Sequence, residues 1–327
     1  MRLRNRPELI VPGANIVSVI IPARNEARGI TAVVQAVQAQ SPAGWDLEII
    51  VVDDGSSDAT AERARAAGAH ALVLESGSEG GNPARARNLG AAAAKGDPIV
   101  FLDADCIPES GWLARLLVAH DGGAAVVGGA LDLPQGVPLT ARCDYYCGWY
   151  HVHSKRPSGA VPNHPPGNLS VRRKVFALSS GFTEQQPVAY AHEELAWQGE
   201  VQRSGGAIVF EPAAVVRHYN RPGFANLLKR NYRWGYSAIE SKAATKAARM
   251  AWLYRYPGLL VAASIPLAIA STGYIVGCWL RAGVAEPLLM LPAVLAARLA
   301  YSMGLAAGGV RWIRYGTLAP ATRARWE

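Results

Sequence analysis

Charge is scarce in this chain, and so is cysteine. Charged residues make up 18% of 327 positions against 50% hydrophobic ones, which excludes a disordered chain and allows a large buried core. Four cysteines, Cys106, Cys143, Cys147 and Cys278, are too few and too irregular for a disulfide framework. Cys143 and Cys147 would share a helix face, but no second Cys or His pair completes a zinc site. Reduced structural thiols are therefore expected. No G-x-G-x-x-G follows the first apolar strand, which argues against a dinucleotide-dependent oxidoreductase. The glycine-rich basic loop of a nucleotidyltransferase is also missing there, where the chain reads Ala23-Arg24-Asn25-Glu26. The apolar run Leu9–Val11 is too short for a signal-peptide core, so nothing is expected to send the N-terminal portion across a membrane. Internal repeats and low-complexity tracts are lacking.

What the chain does have is an alternation of short apolar runs and helical patterns. Ile16–Ala23, Leu47–Val52, Ala71–Leu74 and Pro98–Leu102 read as strands; helical stretches lie at Arg28–Gln40, about Ala59–Ala67 and Ala84–Lys95. Near-continuous apolar strands separated by helices indicate a mostly parallel sheet flanked by helices, an α/β fold. Ligands bind such sheets beyond the carboxyl ends of the strands, where Asp53-Asp54 and Asp103-Ala104-Asp105 stand. Further along come an apolar Ala124–Leu131, a Pro- and Gly-rich loop Arg156–Gly167 and a helical segment around His192–Gln202.

The net charge of +8 fits either an anionic partner such as nucleic acid or a basic collar around membrane segments. Basic residues gather at Lys229–Arg255 and after Arg311, on either side of two apolar stretches, which favours the collar over nucleic acid. Pro257–Leu280 is free of charge and long enough to span a bilayer. Pro287–Val310 is nearly as apolar but contains Arg298, which weakens it as a span. The short linker Arg281–Glu286 with basic flanks predicts a hairpin with both ends cytosolic. In-plane or core helices are the alternative.

Two carboxylates two residues apart at a strand end repel one another. A hard divalent cation, Mg²⁺ or Mn²⁺, resolves that repulsion and keeps coordination positions open for phosphate oxygens. Around this pair lie Val17–Glu26 (V-S-V-I-I-P-A-R-N-E), Ile49–Asp58 (I-I-V-V-D-D-G-S-S-D), Ala86–Gly90 (A-R-N-L-G) and Ile99–Asp105 (I-V-F-L-D-A-D). Gly167–Val171, Gly181-Phe182, His192–Leu195, His218 and Arg230–Gly235 continue the series. In order and spacing these resemble the family-2 glycosyltransferases with their GT-A fold, over roughly residues 15–240.

The resemblance implies roles for particular residues. Pro22, Asn25 and Glu26 would line the nucleotide pocket. Asp53 and Asp54 would contact base and ribose, with Asp54 the candidate for the uracil edge. Arg87 would hold the base or the diphosphate. Asp103 would bind ribose or metal-bound water, and Asp105 would ligate the metal with His218 as a third ligand. Arg230, Arg233 and Trp234 would neutralise the departing diphosphate and line the acceptor site. The family's base is the second acid of an E-D-x-x-L-like motif; here Glu193 and Glu194 precede Leu195, and Glu stands where Asp is usual. Its extra methylene displaces the carboxylate by over ~1 Å, which leaves the choice between Glu193 and Glu194 open. A bland reading exists for each: Asp54 can cap the turn at Gly55-Ser56, Pro22 can merely end a strand, and the glutamates can complement a helix dipole.

The expected organisation is a GT-A catalytic domain over 1–240, a basic and aromatic junction over 241–256, a membrane hairpin over 257–310 and a basic cytosolic tail over 311–327. The expected activity is inverting, metal-dependent transfer of a sugar from a nucleoside-diphosphate sugar, UDP-linked by preference, to a lipid, lipid-linked or exported-glycan acceptor. The catalytic domain would face the cytosol at the cytoplasmic membrane. A catalytically silent GT-A membrane scaffold and a nucleotidyltransferase are the other readings; the retained acids Asp54, Asp103, Asp105 and Glu194 speak against the first.

Overall fold

A computed structural model describes residues 15–40, 42–74, 81–184, 192–244 and 253–315. Part of the junction (245–252) and the end of the tail (316–327) lie outside the described residues. The strands are β1 (Asn15–Ala23), β2 (Trp45–Asp53), β3 (His70–Val73), β4 (Ile99–Leu102), β5 (Cys106–Pro108), β6 (Val126–Asp132), β7 (Gly159–Ala160), β8 (Asn168–Val171) and β9 (Ile208–His218). They form one sheet in the order β3-β2-β1-β4-β8-β6-β9-β5, with β7 on β9. The first four are mutually parallel, as their continuous apolar runs foretell. β8 then runs antiparallel to β4 and β6, and β6 and β9 pair in parallel, so the sheet is mixed.

Register decides where the acids go. Ala23 lies across from Asp53, and Phe101 across from Ile20, so β4 ends within two residues of the end of β1. The carboxyl ends of β1, β2 and β4 are therefore level, and the loops that follow them open on one rim.

The helices within the first half of the chain are α1 (Ile30–Gln38), α2 (Thr60–Ala66), α3 (Pro83–Ala93) and α4 (Trp112–Asp121). They are followed by α5 (Leu139–Gly148), α6 (Arg173–Ala177) and α7 (Leu195–Arg203). Alternation along β1 sends Val17, Val19 and Ile21 to one face, against Val33, Val37, Trp112 and Leu116. Ile20 goes to the other face with Ile50, Phe101, Phe182 and Trp197, as the two-residue period of a strand requires. α3 starts where Asn82 accepts a hydrogen bond from the Arg85 N–H at 3.1 Å and Pro83 fills the first turn, a favoured helix start.

The C-terminal helices are α8 (Phe224–Ala244), α9 (Pro257–Ala262), α10 (Ser264–Arg281), α11 (Glu286–Leu289) and α12 (Leu291–Tyr315). The apolar stretch expected as one segment from Pro257 to Leu280 is thus divided at Ala263. Pro266 has no N–H to give the Ala262 carbonyl, so the helix stops there and restarts. Among the described residues one helix, α12, is long and apolar enough to cross a membrane, and 50% of its most apolar stretch is buried within the protein. α12 lies against α8 almost backbone to backbone. A Cβ built on Gly235 would stand 1.9 Å from the Tyr301 carbonyl oxygen, and one on Gly304 2.0 Å from that of Tyr232. Only glycine permits this approach. On the other side, Trp279 of α10 packs on Tyr145 and Tyr146 of α5 and donates from Nε1 to the Tyr146 carbonyl at 2.9 Å. The C-terminal helices therefore pack along one side of the sheet-bearing part.

Candidate active site

The loops on the sheet rim and helices α5, α8, α10 and α12 enclose a cleft of about 1400 Å³. Pro22, Glu26, Asp54, Arg87, Asp103, Asp105, Glu193, Glu194, His218, Arg230, Arg233 and Trp234 all line it. Asn25 and Asp53 are not part of that lining. Asn25, with a positive φ of 55°, accepts from the Ser57 N–H at 2.8 Å, while its own N–H donates to Ser56 Oγ at 2.9 Å. Asp53 is 3% exposed and accepts from the Ser56 N–H at 2.8 Å. It is thus Asp53, rather than Asp54, that caps the turn at Gly55-Ser56. Asp54 reaches across to accept from the Asn82 N–H at the start of α3.

Arg87, 3% exposed, joins two separate motifs. Its Nη2 lies 2.7 Å from Asp103 Oδ1 and its Nη1 2.8 Å from Glu193 Oε1, and its guanidinium sits 5.4 Å from the Phe182 ring centroid. Gly167 lets Asp103 come close, since a Cβ there would be 2.7 Å from Asp103 Oδ2. With Glu193 held by Arg87, the two glutamates are no longer equivalent. Glu194, at the start of α7, is 8% exposed and has its carboxyl raised to about 8, by burial first and then by the neighbouring Glu193 charge. A buried carboxyl tuned to near-neutral pH is suited to accept a proton. The preceding His192 has a φ of 63° and its Nδ1 lies 3.1 Å from Ser237 Oγ, which ties this turn to α8.

Asp105 faces His218, with Oδ1 3.6 Å from Nε2, across the pairing of β5 with β9. Behind His218 runs a chain that the sequence did not reveal. Asn220 Nδ2 donates to Asp144 Oδ2 at 2.7 Å, so its Oδ1 is left to accept from His218 Nδ1–H at 2.9 Å. That orients the ring with Nε2 towards Asp105, the outer arrangement typical of a metal-binding histidine. Asp144, raised by burial, is ion-paired to Arg230, whose guanidinium lies 4.5 Å from the Trp234 ring centroid. Arg230 is thereby committed to Asp144. The signals for this chain were faint: an Asn two residues after His218, and a single acid in the otherwise uncharged second half of α5.

Asp105, Cys106 and His218 present ligand atoms within 4.8 Å of one another. The carboxylate oxygen and the imidazole Nε2 fit a hard or borderline divalent cation. The Cys106 thiol does not; burial, first of all, holds it well above its ordinary pKa, so it stays protonated behind the site. Glu26 is also raised, by burial and then by the Asp105 charge, as expected where carboxylates converge without a counter-ion.

The chain is similar to known glycosyltransferases in sequence and fold. The family model described as glycosyl transferase family 2 matches residues 18–177. Glycosyltransferase AglE of Haloferax volcanii is 31% identical over 231 residues, covering 68% of this chain and 73% of that protein. The pre-mycofactocin glycosyltransferase of Mycobacterium tuberculosis is 30% identical over 240 residues, or 69% of this chain but only 47% of its own length. Among solved structures, the mannosyltransferase PcManGT of Pyrobaculum calidifontis, in complex with GDP-Man and Mn²⁺, superposes with a TM-score of 0.57 at 20% identity, covering 92% of this chain and 87% of that one. Fold, rim acids and relatives coincide, and the chain belongs to glycosyl transferase family 2 as an enzyme with a GT-A fold.

Proposed function

We propose that the protein transfers a sugar, with inversion, from a nucleoside-diphosphate sugar to a hydroxyl of a lipid or lipid-linked acceptor at the cytosolic face of a membrane. One observation supports this above all: Glu194, poised near neutral pKa, lines the same cleft as the Asp105–His218 pair. The nucleotide would lie on Pro22, Glu26 and Asp54, with UDP the favoured carrier. Asp105 Oδ1 and His218 Nε2 would hold a divalent cation; the imidazole favours Mn²⁺ over Mg²⁺, which prefers oxygen ligands. Bound there, the cation supplies positive charge to the departing diphosphate.

The chain's own groups do the rest. Arg233 contributes a second positive charge to the diphosphate. Arg87 fixes Asp103 beside the ribose and pairs with Glu193, which leaves Glu194 as the group that takes the acceptor hydroxyl proton. The walls formed by α5, α8 and α12 restrict water, so the acceptor outcompetes hydrolysis.

Membrane attachment is part of the proposal. α12 would enter the bilayer with α10 beside it, and the exposed Ile265, Ile269, Leu289, Met303 and Ile313 would meet lipid. Both ends of the pair would stay cytosolic. The test is transfer by the purified protein against a panel of nucleotide sugars, with and without Mn²⁺, in wild type and in Asp105→Ala and Glu194→Gln. Full activity in both variants would sink the mechanism. Recovery of the protein in the soluble fraction after carbonate washing of membranes would count against attachment.

A further inference from the structure

Arg298 is a charge in the middle of the apolar α12, and a charge at such a position marks a functional site more often than an accident. The structure turns it inwards. Its Nε donates to Ser271 Oγ of α10 at 3.0 Å, and its guanidinium lies 4.1 Å from the Tyr301 ring centroid. Lys242 approaches the same tyrosine from α8. Its Nζ donates to the Tyr301 hydroxyl at 3.3 Å and stands 5.4 Å from the Tyr254 ring centroid. Both cations are half-buried and both line the cleft that holds Glu194. Among the described residues their partners are hydroxyls and aromatic rings, with no carboxylate. Two other cations of the cleft differ: Arg87 is paired with Asp103 and Glu193, and Arg230 with Asp144.

Lys242 and Arg298 converge on Tyr301, and among the described residues no carboxylate offsets the cost of burying either charge. An anion relieves that cost. Beyond them the cleft wall becomes apolar, with Leu260, Leu267, Ala270 and Leu305. Two positive charges and a set of hydroxyls match a phosphate ester, which has three acceptor oxygens and a charge of about −1.5 to −2 near neutral pH. A carboxylate would neutralise only one of the two. We propose that Lys242 and Arg298, with Tyr254 and Tyr301, seat the phosphate of an amphiphilic acceptor whose apolar chain runs along Leu260, Leu267 and Ala270. Since Glu194 lines the same cleft, the phosphate anchors the acceptor and a separate hydroxyl reacts. The inference rests on the proposed transferase reading and narrows its acceptor.

Binding separates the two. Dodecyl phosphate, dodecanoate, dodecyl maltoside and inorganic phosphate are titrated calorimetrically into the full chain in a neutral detergent, with UDP plus Mn²⁺ as a parallel titration. Wild type should bind dodecyl phosphate at least tenfold more tightly than each of the other three. Lys242→Met and Arg298→Gln should each weaken it tenfold or more while UDP binding stays within twofold. Arg298→Lys, which keeps the charge, should retain part of the affinity, and it guards against a fold lost in Arg298→Gln. Equal binding of dodecanoate or dodecyl maltoside, or affinity unmoved by the substitutions, overturns the phosphate seat. Inorganic phosphate binding as tightly as dodecyl phosphate overturns the lipid assignment. A wild type that binds dodecyl phosphate but not UDP keeps the seat and instead defeats the donor reading.

Discussion

Arg87 holds Asp103 with one guanidinium nitrogen and Glu193 with the other, at 2.7 and 2.8 Å, so a single buried cation couples the end of β4 to the turn before α7. Removing it leaves two carboxylates close together and one of them buried. Arg87→Met should lose activity and about 3–5 kcal/mol of stability, read from urea unfolding. Glu193→Gln in the same chain should return part of the stability and none of the activity.

As the proposed base, Glu194 should set the pH dependence of transfer. With its carboxyl at about 8, the proton-accepting form grows as pH rises, so kcat/KM should climb tenfold per pH unit below 8 and level off above it. Glu194→Gln should lower kcat by roughly 10²–10⁴-fold and leave UDP affinity unchanged. A flat profile between pH 6 and 9 in the wild type would exclude Glu194 as the base.

The same group acts on stability in the opposite sense. Its folded pKa of about 8 stands above the ordinary 4.5, so between those values the folded protein keeps a proton that the unfolded chain has released. Stability from this group is complete below pH 4.5 and declines as pH rises through 8. Glu194→Gln should therefore melt roughly 5 °C above wild type at pH 9, with the two curves converging at pH 4.5 in a thermal scan.

The Asn220–Asp144 chain behind His218 should tune cation affinity without touching the cation. Asn220→Ala and Asp144→Asn should each weaken Mn²⁺ binding about 10–100-fold. Asp105→Ala should abolish it, and Cys106→Ser should leave it within twofold. Titration of Mn²⁺ followed by electron paramagnetic resonance measures all four.

Gly235 and Gly304 sit where any side chain would strike the facing helix. Gly304→Leu should destabilise the protein by about 3 kcal/mol or more, far beyond an apolar exchange at the exposed Met303. Thermal unfolding in detergent would show the difference.

Much of this fold was legible from one chemical regularity. Runs such as Ile49–Val52 and Ile99–Leu102 are apolar on both faces because helices cover both faces of the sheet, and the acids after them mark the rim. The antiparallel β8 was not legible, since Leu169 and Val171 look the same in either direction. Nor was the distinction between neighbouring acids. Asp53 and Asp54 differ by one position, yet one caps a turn and the other faces the cleft; Glu193 and Glu194 diverge only because Arg87, more than a hundred residues earlier, reaches one of them. The break at Ala263 could have been suspected from Pro266. Asp144 could not, because its meaning depends on Asn220 and Arg230, which only the folded chain brings together.

The near-contact of α8 with α12 bears on how such an enzyme can be dissected. A truncation after α8, the usual way to make a catalytic part easier to purify, would strip the cover from the helix that bears Arg230, Arg233 and Trp234 and expose a strip of bare backbone to solvent. A shortened protein that fails would thus say little about whether lipid is needed, because one wall of its reaction chamber would be gone. Reconstitution of the whole chain in bilayers of different composition is the cleaner separation of anchoring from catalysis.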